Sequence, residues 1–124
     1  MVKDLNPKRL HRSFRYASRG IWHVLRNESN LRIHVGATAV VITAGIVLGI
    51  IGFEFAIILL AIGLVLTAEV INTVIEDFLD ILHPDHHGAV RRIKDALAGA
   101  VLLAAFVAIG VGVLIFGPYL LATP

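Results

Sequence analysis

Thr67-Ala68-Glu69-Val70-Ile71-Asn72-Thr73-Val74-Ile75-Glu76-Asp77-Phe78-Leu79-Asp80 is the stretch that decides how this chain folds. It closes the second of three long apolar segments, yet Glu69, Asn72 and Glu76 lie inside it. At ~100° per residue, positions 69, 72, 73, 76 and 80 fall within roughly 60° of one helix face, so the helix carries a polar, acidic stripe. A carboxylate at bilayer depth costs about 2.5 to 3.5 kcal/mol on insertion scales and persists mainly where it pairs, titrates or works. Glu69 and Glu76 are separated by about 10 Å of rise at ~1.5 Å per residue, which puts two acids on one wall at two depths.

Working outward, the three segments cover 33–51, 55–76 and 96–121, each close to or above the ~20 residues that span a bilayer. The chain has 124 residues, 57% of them hydrophobic, and a mean hydropathy of +0.84. That is too apolar for an ordinary soluble domain. Cysteine is absent, which excludes disulfides and thiolate metal sites. The first 26 residues carry seven of the eleven Lys and Arg, and no cleavable signal peptide is expected, because its apolar core would come much earlier. Gly52-Phe53-Glu54, expected as the first link, has no basic residue, whereas the expected second link holds Arg91, Arg92 and Lys94. The positive-inside rule then puts the N-terminus, the second link and the acidic stripe on the cytoplasmic side of a membrane, and the C-terminus outside.

Residues 7–29 read as an amphipathic surface helix opened by Pro7. Leu10, Phe14, Ala17, Ile21 and Leu25 project to one side and Arg12, Arg15, Arg19 and Arg26 to the other, a pattern suited to an anionic membrane surface. Glu28 falls on the apolar side if the helix continues, pointing toward the bundle. Gly45 with Gly49, and Ala100, Ala104, Ala108 and Gly112, have the small-xxx-small spacing that lets membrane helices approach closely. The expected architecture is all-α: one domain over 1–124, with a surface helix and three transmembrane helices. Three helices enclose little volume for a polar site, so a homo-oligomer is expected.

Carboxylate oxygens are hard ligands of the kind Mg²⁺ takes, usually one or two together with water and substrate phosphates. Glu28 and Glu76, both near the cytoplasmic interface, are the natural pair. Glu69, two turns deeper, is the candidate base, with Asn72 one turn away to orient it or a substrate hydroxyl. Asp77 and Asp80 read as solvated. The histidines at 83, 86 and 87 match no usual zinc spacing, and His83-Pro84-Asp85-His86-His87-Gly88 reads as a polar turn. No P-loop, Gly-x-Gly-x-x-Gly or protein-kinase signature is present, and no nucleic-acid partner is expected. The residues alone leave three readings: phosphoryl transfer to a lipid, a small proton or cation conductor built on the same carboxylates, and a membrane-assembly subunit that would leave Glu69, Asn72 and Lys94 unexplained.

Longer motifs favour the first. The run 68–76, then His83-Pro84, then Ile93-Lys94-Asp95-Ala96-Leu97-Ala98-Gly99-Ala100, together with Ser13-Phe14-Arg15-Tyr16-Ala17 and Glu28-Ser29-Asn30-Leu31-Arg32-Ile33-His34, strongly resembles the prokaryotic diacylglycerol kinase family. Three motifs in the right order and topology make the resemblance specific, and it covers nearly the whole chain. It implies a homotrimeric lipid kinase moving the γ-phosphoryl of ATP to a lipid alcohol at the cytoplasmic surface. By position it implies Glu69 as base and lipid contact, Asn72 beside the reacting centre, and Glu28 and Glu76 as ligands of Mg²⁺ that bridges ATP phosphates. Arg9, Tyr16, Asp85, His86, His87, Lys94 and Asp95 match nucleotide-binding positions, and Ala98 a lipid contact. Val74 and Leu97 replace common alanines. Asn72-Thr73, Arg32-Ile33-His34 and His83-Pro84 look more like the undecaprenol kinase branch, which favours undecaprenol over diacylglycerol.

Overall fold

The computed structural model describes residues 6–85 and 87–122, and all the regular structure in them is helical. Four helices follow one another: α1 (Pro7–Asn27), α2 (Ser29–Val47), α3 (Gly52–Leu82) and α4 (Gly88–Leu121). The last three are long and apolar enough to cross a membrane.

Each helix end has a local cause. Asn6 caps α1, its side-chain oxygen accepting the Lys8 N–H at 3.0 Å, and Pro7 occupies a first-turn position that has no N–H bond to lose. The helix stops at Asn27 because Glu28 turns extended, with φ −108° and ψ 114°. The Glu28 N–H still bonds the Val24 carbonyl at 2.8 Å, while its own carbonyl accepts the Arg32 N–H at 3.3 Å, so one residue ends α1 and begins α2. Arg32 folds back and donates from Nη1 to the carbonyls of Leu25 at 3.2 Å and Arg26 at 2.6 Å. A cation is thereby held where the helix dipole and the orphan carbonyls both favour it. Glu28 therefore stands at a joint, not on a continuing apolar face.

The turn from α2 to α3 falls at 48–51, ahead of the expected link, and Gly52-Phe53-Glu54 already forms the first turn of α3. Gly49 adopts φ 74° and Gly52 φ 65°, the left-handed region that suits glycine. Gly49 N–H bonds Ile46 O at 3.1 Å and Ile50 N–H bonds Gly45 O at 2.9 Å, the paired bonds of a Schellman cap. Gly49 thus terminates a helix, and only Gly45 of the expected pair packs. A Cβ on Gly45 would lie 3.3 Å from Phe55 Cε2.

Ile50, Ile58 and Ile115 form a small core at this end, with Phe55, Val111 and Phe116 packed against it. On α4, Ala104 is buried, while Ala108 and Gly112 line an apolar cavity of about 230 Å³ with Val41, Ile58 and Ala61. The alanine ladder thus faces the bundle along part of its length. Outward-facing groups are large and apolar, including Val47 at 78% and Leu114 at 77% exposure. In water such a surface invites association. In lipid it costs nothing, and packing rather than the hydrophobic effect holds the helices.

The 31 residues of α3 rise about 46 Å and the 34 of α4 about 51 Å, against a hydrocarbon core of roughly 30 Å. Both helices extend past their apolar segments where the chain turns from α3 to α4. Arg91, Arg92 and Lys94, expected in a link, lie in the opening turns of α4, and the turn itself is only 83–87.

Candidate active site

The acidic stripe of α3 faces inward at its deep end and emerges toward its C-terminus. Glu69 is 5% exposed and is the sole charged residue buried among those described; Thr73, one turn on, is 4% exposed. Asn72 and Glu76 are half-buried, and Asp77 and Asp80 are exposed. The gradient follows from a straight helix leaving a narrow bundle: the same face is covered near residue 69 and open near residue 80.

Two polar groupings occupy that face. At the deep one, His34 from α2 places Nε2 3.0 Å from Glu69 Oε1, with the carboxylate almost covered and the ring partly open. At the shallow one, Glu76 is partly desolvated by burial and lies within electrostatic reach of Lys94, Glu28 and Asp80. Asn72 lies one turn from Glu76 on the same helix face, and its Oδ1 is buried without a partner. A buried unpaired carbonyl oxygen is costly, and it marks a place where an incoming donor would be welcome. Lys94 on α4 donates to Asp80 Oδ1 on α3, so Asp80 ties the two helices together where simple solvation was expected.

Because α2 and α3 form a hairpin, their residues meet in opposite order. Glu28 and His34 are six positions apart, a rise of about 9 Å, and Glu76 and Glu69 are seven apart, about 10 Å. Glu28 is thereby level with Glu76, and His34 with Glu69. The groupings are two rungs of one ladder. His34 carries no metal-like spacing or motif that would have singled it out in the sequence; the available signal was a ring-bearing polar residue at the depth of Glu69 on a neighbouring span.

Other residues matched to the site stand apart from these rungs. Arg9, Tyr16, Asp85, His87, Asp95 and Ala98 are exposed, and among the described residues their side chains make no hydrogen bond or ion pair with the cluster. His87 stands at the N-terminal boundary of α4 without a side-chain bond to the helix, its ring edge-on to that of His83 at 6.1 Å between centroids. His86 lies outside the described residues. No three His, Asp or Glu side chains among the described residues converge on a metal-sized point. Glu28 with Glu76 is therefore a two-carboxylate arrangement, the share a protein commonly contributes to Mg²⁺ when substrate phosphates and water complete the shell.

Beside the deep rung, Ile21 and Leu25 of α1, Leu31 and Val35 of α2, and Leu66 and Val70 of α3 line an apolar groove of about 340 Å³. A membrane bundle with one buried carboxylate, an apolar groove at the same height and a cation-bearing carboxylate cluster at its open end has the make-up of an enzyme acting on lipid. The chain belongs to the prokaryotic diacylglycerol kinase family, whose model matches residues 15–116, and it is a lipid kinase. It is 38% identical over 112 residues to the undecaprenol kinase of Bacillus subtilis (strain 168), covering 90% of this chain and 91% of that one. To the diacylglycerol kinase of Synechocystis sp. it is 37% identical over 111 residues, 89% of this chain and 63% of that one. No solved structure matches the chain. The conductor reading loses its footing here, as an enzyme family accounts for the same carboxylates.

Proposed function

We propose that this protein transfers the γ-phosphoryl group of ATP to a lipid alcohol at the cytoplasmic membrane surface, with undecaprenol as the favoured acceptor. The observation that carries the reading is the pair of rungs: a buried carboxylate level with an apolar groove, and a charged cluster about 10 Å nearer water. A lipid alcohol needs its chain in apolar surroundings and its hydroxyl against a base, while a nucleotide needs cations and an aqueous approach. Phosphoryl transfer asks a protein chiefly for that positioning and charge neutralisation.

In this reading Glu69 accepts the acceptor hydroxyl's proton as its oxygen attacks the γ-phosphorus, and Asn72 offers its unpartnered Oδ1 and its amide at the boundary between the rungs. Glu28 and Glu76 would hold Mg²⁺, which would supply neutralisation of charge on the phosphate oxygens. Lys94 reaches the same phosphates, leaving Asp80. Arg9, Tyr16, Asp85, His86, His87 and Asp95 contribute to the nucleotide site, and Ala98 to the lipid contact. Since several of these side chains stand apart from the cluster within one chain, a homotrimer in which α1 lies on the membrane surface brings them to it from neighbouring subunits. The family membership and the full-length match to the Bacillus subtilis undecaprenol kinase support the acceptor; the Synechocystis sp. match extends over a smaller part of its relative.

The test is ATP-dependent phosphorylation of undecaprenol and of diacylglycerol, side by side in mixed micelles with Mg²⁺. Faster labelling of undecaprenol is expected. Faster labelling of diacylglycerol overturns the acceptor assignment, and no labelled lipid of either kind overturns the reaction.

A further inference from the structure

Burial on α3 fixes the depth of Glu69 but not the direction of its carboxylate, and His34 is the side chain in contact with it. Glu69 has two oxygens. Oε1 takes the 3.0 Å contact from His34 Nε2, and among the described residues no protein group hydrogen-bonds Oε2. An ionised carboxylate only accepts, so a hydrogen bond across this contact needs the proton on the ring nitrogen that faces it. An unheld Glu side chain has three rotatable bonds, and burial alone does not select which oxygen faces a substrate. A donor fixed to one oxygen does.

His34 is itself held by its helix. It lies six residues into α2, and the start of α2 is pinned by the Glu28 joint and by Arg32 on the last carbonyls of α1. The joint that presents Glu28 to the shallow rung therefore sets the height of His34 at the deep one. With Glu28 level with Glu76, the ring is delivered to Glu69 and not a turn above or below it.

We propose that His34 is the positioning residue for the base Glu69, its Nε2–H anchoring Oε1 so that Oε2 alone is presented to the acceptor hydroxyl. This rests on the assignment of Glu69 as the base. In the transfer, the acceptor O–H bond breaks and its proton goes to Glu69 Oε2. The electron pair of that bond forms the new oxygen–phosphorus bond, and the bond from the γ-phosphorus to the bridging oxygen breaks with its pair leaving on ADP. The proton stays on Glu69, and His34 neither gains nor loses one. Its contribution is that the oxygen receiving the proton is already aimed, and misplacement of a reacting group by about 1 Å can cost on the order of 100-fold in rate.

The experiment compares His34→Ala, His34→Gln, Glu69→Gln and the double variant His34→Ala/Glu69→Gln, assayed in micelles with undecaprenol and ATP, with thermal unfolding recorded for each. His34→Ala is expected to lower kcat by about 10- to 100-fold while KM for both substrates stays within about threefold, as for loss of an orientation effect. His34→Gln, whose amide can still donate to Oε1, is expected to recover at least about a third of the lost rate. The double variant should be no slower than Glu69→Gln, because aiming has no value once the base is gone. Wild-type kcat in His34→Ala, equal rates for His34→Ala and His34→Gln, or multiplicative losses in the double variant would each overturn the proposal. A normal rate for Glu69→Gln would overturn the base assignment instead, which separates the two failures. If His34→Ala lowers kcat only in proportion to the fraction unfolded, the role is structural and the proposal falls.

Discussion

The two ends of this bundle are built by different rules. Where α2 turns into α3, order comes from backbone and shape: a glycine cap at Gly49, a close approach of Gly45 to Phe55, and the Ile50, Ile58 and Ile115 core. Glu54 and Tyr119 supply a polar tie there, the tyrosine hydroxyl donating to Glu54 Oε2 at 2.6 Å. At the other end, the buried Val24, Leu31 and Val90 are joined by contacts between charged or polar side chains: His34 with Glu69, Lys94 with Asp80, and the charges about Glu76. Shape-based order is insensitive to what binds, whereas an ion pair can exchange its partner for a ligand. The exchangeable contacts are therefore concentrated at one end, and substitutions should sort accordingly.

The sharpest break is Glu69→Gln. An isosteric amide keeps the packing but cannot take a proton, so kcat should fall by about 10²- to 10⁴-fold, the usual worth of a general base. KM for ATP and the melting temperature should stay close to wild type, as read by steady-state kinetics and thermal unfolding in micelles. Next is Lys94→Met, which keeps the aliphatic stem and removes the charge. Loss of a charged hydrogen bond worth roughly 1.5 to 3 kcal/mol predicts a drop of about 10- to 100-fold in kcat/KM for ATP. Stability should barely move, because the Asp80 side chain is 50% exposed and open ion pairs contribute about 0 to 1 kcal/mol.

Gly49→Ala tests the opposite end. Its Cβ would meet no atom within 4 Å, so the effect is the backbone's alone, about 1 to 2 kcal/mol for a left-handed L-residue. Denaturant unfolding in micelles should register that loss while kcat per folded protein stays at the wild-type value. A reduced kcat would mean that the ends are coupled. Tyr119→Phe should give the smallest change, a slight fall in melting temperature with unaltered kinetics, because one end's polar tie is removed far from both rungs.

The sequence disclosed the α3 stripe because helical periodicity brings residues 69, 72, 73, 76 and 80 to one face wherever the helix ends. It also disclosed that Glu69 is the deepest acid, and the structure buries it. Helix ends were less legible. Hydropathy measures affinity for hydrocarbon, and α3 and α4 continue as helices through residues such as Asp77, Asp80, Arg91 and Arg92, which water accepts as readily in a helix as in a loop. Gly49 has the spacing of a packing glycine, yet its left-handed φ is set by where the chain must reverse. His34 escaped for another reason. Its partner is 35 positions away on another helix, and only the hairpin's register, fixed at residues 48–51, brings them together.

The overshoot of α3 and α4 beyond the hydrocarbon has a mechanical consequence. Only residues 83–87 separate the two helices, and each is continuous from its apolar length into its charged end. A tilt of the apolar length would therefore move Glu76 or Lys94 with it, the way a lever arm transmits a small rotation at its pivot.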